Sequence, residues 1–200
     1  MSADTGLFRS PAADDAVLRG VLASIQERGG IGTTSLDDAI AHADRYVALL
    51  PAGSARIADL GSGGGLPGLV IAWRRPDLRL VLVERRQTRA DLLRRAVSAL
   101  GMTDGVSVHA DDVRALAEVE GAVFDAVTAR SFAAPEVTAL WAGRLLRPGG
   151  HLLVSEPPSA VVEGNEWAAR WPEGLLDRCG LEHRDVVAGI RRFRRRGRFT

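Results

Sequence analysis

Two helical patterns precede a longer region in which apolar strands and helices alternate. Apolar side chains recur at helical spacing over residues 14–28 and again over 35–50. The first pattern stops at the glycine pair 29–30, and Ser35 with Asp38 has the form of a capping box that opens the second helix. We expect these two helices to form a lid or a flank on the domain that follows.

From residue 56 the pattern becomes a regular alternation of strands and helices. Such alternation is typical of a parallel sheet with helices on both faces, so we predict a doubly wound, mostly parallel, Rossmann-like α/β fold. After Gly180 the pattern allows either an edge hairpin or one strand with a loose tail. The predicted strands span residues 56–60, 79–84, 106–109, 123–129 and 151–155, and the predicted helices span 66–74, 88–100, 135–146 and 163–179.

The length of 200 residues suits a single domain, here a helical flank over residues 1–52 and an α/β core over 53–200. No apolar run reaches the length of a membrane span, and the first residues lack the order of a signal peptide, so we expect a cytoplasmic protein. Cys179 is the one cysteine and has no partner for a disulfide or a CxxC site. We read it as a small buried hydrophobe.

The charge is unevenly distributed along the chain. All 26 basic residues are arginine, which excludes a lysine Schiff base and a Walker-type phosphate lysine. Six arginines lie among the last ten residues, where there are no acids, so the net charge of +1 leaves −5 on the rest. A basic tail on an acidic body suggests an anionic partner, although a solvated terminus is an equally good reading.

A glycine-rich loop follows the first predicted strand. In a doubly wound sheet, ligands bind at the carboxyl ends of the strands beside the first one, where this loop lies. Gly61 allows a tight turn, Gly63 and Gly65 let a ligand approach the main chain, and Pro67 suits the first turn of the next helix. The amides at that helix start favour an anionic group.

Three carboxylates accompany this loop. Asp59 lies just before the turn, where it can accept from a ligand amine or order the loop. Glu84 ends the second strand, where a carboxylate can accept both hydroxyls of a ribose. Asp112 follows the third strand and is placed to meet an adenine edge. Taken as a set, these residues resemble the adenosyl-binding constellation of class I methyltransferases.

Other readings of the same residues are open. A run of glycines is often a linker, but linkers do not usually join an apolar strand to an apolar helix. Glu84 and Asp112 can also be plain solvated carboxylates at strand ends. The glycines at 63, 65 and 68 satisfy the GxGxxG pattern of nicotinamide or flavin enzymes, but two residues later than expected, and this leaves Asp59 without a role.

A narrower resemblance covers roughly residues 36–158. The motif "DLGSGGGLPGLVIA" closely resembles that of the bacterial small-subunit rRNA guanine-N7 methyltransferases, also called the glucose-inhibited division protein B family. The likeness continues through "ERRQTRADLLRRAVSALG", "VHADDVRAL", "FDAVTARSFAAPEVTALW" and "LLRPGGHLLVS", and it reaches back to Asp44 in "HADRY". It implies S-adenosylmethionine as the cofactor and 16S rRNA, or the small ribosomal subunit, as the substrate.

When the family's functional positions are transferred to this sequence, the resemblance implies roles for five residues. Gly61 and Leu66 would line the methionine end of the cofactor, and Val113 and Arg114 would contact the adenosine through main chain. Arg130 would reach the cofactor or the target phosphate. The alternative for Arg130 is a structural ion pair, for example with Asp125 or Glu136.

The chain also departs from the family pattern, mainly on the presumed RNA side. These departures favour the cofactor half of the resemblance over the substrate half. They are Glu156-Pro157 in place of Lys-Gly, Thr88 in place of a basic residue, Arg45 in place of a small hydroxyl residue, and the opposite charge order at Asp112 and Arg114.

The expected reaction needs no proton transfer. Guanine N7 is an exposed lone pair without a proton, so an activated methyl group can be displaced onto it without a general base, and we predict no catalytic acid or base. Phe132 is the candidate platform for a flipped base, with ordinary core as its alternative. His42, His109 and His151 are scattered, so we expect no metal.

Three functions are compatible with the sequence. The first is the rRNA methyltransferase, which we expect to be a monomer. The second is a methyltransferase of the same fold with a small-molecule or protein substrate, suggested by Glu156. The third is a cofactor-binding module that docks on RNA without turnover.

Overall fold

The computed structural model describes residues 11–156 and 169–197, with backbone alone for residues 11–14. Within these ranges the chain alternates between helices and strands. The helices are α1 (Pro11–Glu27), α2 (Leu36–Val47), α3 (Gly68–Arg74), α4 (Gln87–Ala99), α5 (Val113–Glu120), α6 (Pro135–Leu145) and α7 (Glu173–Cys179). The strands are β1 (Arg56–Leu60), β2 (Arg79–Val83), β3 (Val106–His109), β4 (Phe124–Ala129), β5 (Leu146–Ser155), β6 (Leu181–Val187) and β7 (Ile190–Arg195).

All seven strands form one sheet in the order β3-β2-β1-β4-β5-β7-β6. The pairs from β3 to β5 are parallel, and β7 runs antiparallel to both β5 and β6. The chain winds outward from β1 in one direction through β2 and β3 and in the other through β4 and β5. This confirms the predicted doubly wound, mostly parallel sheet and places its switch point between β1 and β4.

The central strands are buried on both faces, which explains their continuous apolar sequences. Ile57 and Leu82 face a cluster formed with the helices α1 to α4. Ala58 and Val83, their neighbours along the strands, face a second cluster formed with α5, α6 and α7. The sheet therefore carries a core on each face and leaves the carboxyl ends of its parallel strands together at one edge.

The two N-terminal helices form a flank. Leu18 and Leu22 of α1 are fully buried in the first cluster, and Tyr46 of α2 donates from its hydroxyl to the carbonyl of Ala129 at 3.0 Å. The predicted capping box is wrong, because the side chain of Ser35 makes no capping hydrogen bond. Ser35 still precedes the first residue of the helix, as predicted.

Four of the C-terminal arginines, at positions 191, 192, 194 and 195, lie in strand β7, while Arg198 lies outside the described residues. Strands β6 and β7 make the hairpin that the sequence left as one of two possibilities, and β7 is the inner strand of the pair. Phe193 is fully buried against Trp171, with ring centroids 4.7 Å apart. The apolar residues within the arginine run thus insert the strand into the core.

Two further differences concern helices. Helix α5 was not predicted as an element; Asp112 caps it by accepting from the Arg114 amide at 3.0 Å. Within the helix predicted over 163–179, residues 169–170 are helical and α7 begins after Pro172. Residues 163–168, with Trp167, lie outside the described residues. None of the helices in the two described ranges is long and apolar enough to cross a membrane.

Candidate functional site

The glycine loop turns sharply between β1 and α3. Gly61, Gly63 and Gly65 have positive φ values of 66°, 54° and 91°, a region that side-chain-bearing residues rarely adopt. The Ser62 amide donates to the carbonyl of Val83 at 2.9 Å, which fastens the loop to the end of β2. The loop therefore lies across the switch point with a fixed main chain.

Asp59 lies underneath this loop and is fully buried. Its Oδ1 accepts from the Thr128 hydroxyl at 2.7 Å, while Oδ2 lies against Gly68 without a hydrogen bond of good geometry. Burial raises the pKa of this carboxyl to about 6, in spite of the opposing hydrogen bond from Thr128. Asp59 does not line the cavity, and of its two expected roles this position suits ordering of the loop.

Glu84 joins the end of β2 to the glycine loop. Its Oε2 accepts from the Gly63 amide at 3.1 Å and its Oε1 from the Arg86 amide at 2.8 Å. The residue is only 6% exposed, yet it lines a cavity. A carboxylate oxygen has two acceptor positions, so each oxygen retains one that a ligand hydroxyl can use.

This first cavity has a volume of about 430 Å³ and lies over the carboxyl ends of β1 to β4. Five of the sequence-predicted residues line it, namely Gly61, Glu84, Asp112, Val113 and Arg114. Among the charged and aromatic residues that line it, sequence reasoning missed Arg85, Arg86, Arg89, Asp111 and Trp141. Arg89 lies in the first turn of α4 and extends to the cavity from there. The sequence argument considered only residues at the ends of strands, so it did not identify Arg89.

The other predicted cofactor residues do not line the first cavity. The side of Gly65 where a Cβ would project faces Leu69, and Leu66 is buried in the first apolar cluster. The Gly63 amide is engaged by Glu84, and the Arg114 amide is engaged by the Asp112 cap. These residues shape the loop and the wall in this structure, and the expected main-chain contact through the Arg114 amide would require the cap to open.

A second cavity, of about 640 Å³, lies beside the first toward β5. Ser131, Phe132 and Ala133 line both cavities, and the Phe132 ring lies so close to Gly61 that a Cβ on that glycine would be 2.7 Å from the ring. Ser131 has a φ of 54°, which directs this segment between the two cavities. Phe132 is therefore the partition between them.

Arg130 faces the second cavity and not the first. Its Nη1 is buried without a hydrogen-bond partner among the described residues. The alternative ion pair with Asp125 is not formed, because Asp125 accepts from the Arg56 amide and pairs with Arg147. Glu136 likewise makes no described ion pair with it, so the cation is directed at the cavity.

Glu156 explains a departure from the family pattern. Its carboxylate is fully buried, accepting from Arg191 Nε at 2.7 Å and from the Trp171 indole at 2.8 Å. Arg170 lies 3.3 Å from the other oxygen. The negative charge that Glu156 places at this position is therefore paired inside the protein.

His42 and Arg45 also line the second cavity, from the last turns of α2. Burial and the nearby Arg130 lower the pKa of His42, which favours its neutral form. Sequence reasoning did not identify either residue as a site candidate. Helix α2 precedes β1, and the sequence argument placed the site at the ends of the strands that begin with β1. Among the residues that the structure describes, no group of three His, Cys, Asp or Glu side chains could hold a metal ion.

Comparisons with known proteins agree with this geometry. The family model described as GidB, rRNA small subunit methyltransferase G, matches residues 22–169. A ribosomal RNA small subunit methyltransferase G from Mycolicibacterium gilvum is 34% identical over 176 residues, covering 82% of this chain and 75% of the relative. Another, from Salinispora tropica, is 38% identical over 170 residues, covering 83% of this chain but only 66% of the relative.

Solved structures share the fold at low sequence identity. A cofactor-bound protein from MTB has a TM-score of 0.68 and 21% identity, covering 94% of this chain and 93% of its own. A SAM-dependent O-methyltransferase from Thermotoga maritima has a TM-score of 0.63 and 15% identity, covering 90% of this chain and 72% of its own. These likenesses concern the fold alone.

Proposed function

Because the chain belongs to the GidB family of rRNA small subunit methyltransferases G, we propose that it methylates guanine N7 in 16S rRNA with S-adenosylmethionine as the donor. The observation that carries this proposal is the convergence of Gly61, Glu84 and Asp112 on one cavity at the switch point. A second cavity shares the segment 131–133 with the first. A donor in one and a base in the other would meet at Phe132.

The residues of the first cavity fit S-adenosylmethionine. The unused acceptor positions of Glu84 suit the two ribose hydroxyls, and Asp112 with Val113 lies one strand further, where an adenine would extend. Gly61 leaves the main chain bare toward the methionine end. Bound there, the cofactor supplies a methyl group that is activated by its sulfonium charge.

The protein's part in the reaction is positioning. Guanine N7 offers a lone pair without a proton, so no described side chain has to act as a general base. Well-oriented reactants can gain about 7 to 11 kcal/mol from orientation alone. Phe132 would stack on the unstacked base and exclude water, and Arg130, with its unpartnered buried Nη1, would hold a phosphate of the target nucleotide.

We further propose that the enzyme acts in the cytoplasm and as a monomer. Both cavities are lined by residues of one chain, so the described site needs no second copy. The alternative substrate class was suggested by Glu156, but this carboxylate is buried and paired, so no observation now favours a small-molecule or protein substrate.

Calorimetric titration tests the cofactor assignment. We expect S-adenosylhomocysteine to bind at micromolar concentration and NAD not to bind. Glu84→Gln should weaken this binding at least tenfold, because it replaces an acceptor for ribose hydroxyls by a donor. The matched control is Glu120→Gln, which removes a carboxylate paired with Arg56 away from the cavity. Binding of NAD alone would show that the glycine loop has been read in the wrong register.

Methyl transfer tests the substrate. Wild-type protein incubated with labelled cofactor should label 16S rRNA, as naked RNA or in small ribosomal subunits, and mass spectrometry should place the methyl group on a guanine. Transfer to a small molecule or to protein, with none to RNA, would replace the proposed substrate. Tight cofactor binding without any transfer would favour a non-catalytic module.

A further inference from the structure

The arginines of the C-terminal strand are occupied within the protein. Arg191 pairs with the buried Glu156, and Arg192 forms a double contact with Asp185 across the hairpin. Arg194 lies 3.8 Å from Glu182, and Arg196 pairs with Asp177 at 2.7 Å. Arg195 donates to the carbonyls of Cys179 and Gly180. The densest run of positive charge in the sequence is therefore largely neutralised by neighbouring elements.

A different set of arginines surrounds the two cavities. We call these the edge arginines: Arg45, Arg85, Arg86, Arg114 and Arg130. Four of them are exposed and Arg130 is partly buried, and none forms an ion pair with a carboxylate of the described residues. They come from separate elements that end at the same edge of the sheet.

Three carboxylates lie near these arginines in the first cavity. Glu84 is buried and bound by two main-chain amides, and Asp112 accepts from the Arg114 amide as a helix cap. Asp111 is exposed and accepts from the Asp112 amide. These bonds from neutral amides leave the carboxylate charges in place, but seven arginines and only four carboxylates line the two cavities, so positive charge predominates there.

The edge arginines are distributed along the carboxyl ends of the parallel strands. Arg114 follows β3 and Arg130 follows β4, and three strand intervals of about 4.8 Å separate these two strands, or about 14 Å along the edge. Arg85 and Arg86 lie between them at the end of β2, and Arg45 lies beyond Arg130. A nucleic-acid backbone that crossed both cavities would meet arginine on either side of the partition.

We propose that the edge arginines, and not the arginine-rich C-terminal strand, hold the phosphodiester backbone of the RNA on both sides of the target nucleotide. This inference rests on the proposed function, because it takes the base in the second cavity to belong to an RNA. Contacts of this kind position the strand without reading its sequence.

The test compares two triple variants that remove the same charge. The edge variant carries Arg45→Gln, Arg85→Gln and Arg114→Gln, and the matched control carries Arg184→Gln, Arg192→Gln and Arg194→Gln on the hairpin. Binding to 16S rRNA is measured over a range of KCl concentrations without cofactor, so that cofactor affinity does not enter. Circular dichroism confirms that both variants are folded.

We expect the negative slope of log K against log[KCl] to become shallower by about 2 in the edge variant, since each phosphate contact on a single strand contributes about −0.7. The control should keep the wild-type slope. An unchanged slope in the edge variant, or an equal decrease in the control, overturns the inference. Failure of the proposed function appears separately, as wild-type protein that methylates no RNA.

Discussion

At the scale of single residues, the most unusual group is Asp59, a fully buried carboxyl that lies directly beneath the glycine loop. Its folded-state pKa is raised from 3.8 to about 6 by burial. The ionised form is thus less favourable in the folded protein than in the unfolded chain. This contribution to stability is fully present below about pH 4 and is lost as the pH rises through about 6.

Asp59→Asn should therefore remove the part of the pH dependence of the free energy of unfolding that comes from this carboxyl. In wild-type protein the Asp59 contribution to the free energy of unfolding should fall between about pH 4 and pH 7, by on the order of 3 kcal/mol for a shift of about two pKa units. Urea unfolding of both proteins across this range measures it. Parallel curves for wild type and variant would mean that Asp59 titrates normally; the absolute offset between them is not diagnostic, because the amide also changes the contact with Gly68.

The sequence-predicted residues that line the first cavity share one property. Gly61, Glu84 and Asp112 each follow a parallel strand, and topology brings the carboxyl ends of such strands together. Arg89 and His42 escaped prediction because they reach the cavities from helices, where the direction of a side chain depends on packing. For Asp59, the sequence indicated two roles, and only its burial distinguished them.

At the scale of elements, the glycine loop is supported from outside by the turn after α1. A Cβ on Gly64 would lie 2.4 Å from the carbonyl oxygen of Gly30 and 2.5 Å from Ile31 Cγ1. The absence of a side chain at Gly64 therefore allows the turn after α1 to touch the main chain of the loop.

Gly64→Ala tests this contact. Because the obstructing atom belongs to the main chain and cannot move alone, we expect a loss of about 1 to 3 kcal/mol in the free energy of unfolding. Affinity for S-adenosylhomocysteine should fall in the same variant. The control is Gly20→Ala in α1, where a Cβ meets nothing within 4 Å and should stabilise the protein by about 0.5 to 1 kcal/mol. Equal effects of the two substitutions would exclude a supporting role for this contact.

The alternation of apolar segments was enough to predict β1 to β5 and the helices between most of them. It did not reveal α5, a short amphipathic helix of eight residues with Asp112 as its N-cap and Gly121 as its C-cap. It also did not decide between a hairpin and a single strand with a loose tail after Gly180, because a run of arginines is typical of solvent-exposed chain. Only tertiary partners such as Asp185 and Glu156 make that run compatible with an inner strand.

At the scale of the whole molecule, the C-terminal hairpin completes the sheet next to the second cavity. Strand β7 pairs with β5 along its length, and Glu156 at the end of β5 is joined to it through Arg191. Deleting residues 191–200 would remove an inner strand, so such a truncation cannot separate RNA binding from folding. A substitution within β7 measures its structural role more directly.

Phe193→Ala should destabilise the protein strongly. Phe193 is fully buried between Trp171 and His183, with ring centroids 4.7 and 5.7 Å away, and removal of such a ring typically costs about 3 to 5 kcal/mol. The control is Val187→Ala on the neighbouring strand, which is 40% exposed and should change stability by no more than about 0.5 kcal/mol. Thermal and urea unfolding measure both. A small effect of Phe193→Ala would show that the hairpin is not part of the cooperative core, and the arginine run would again be available to an external partner.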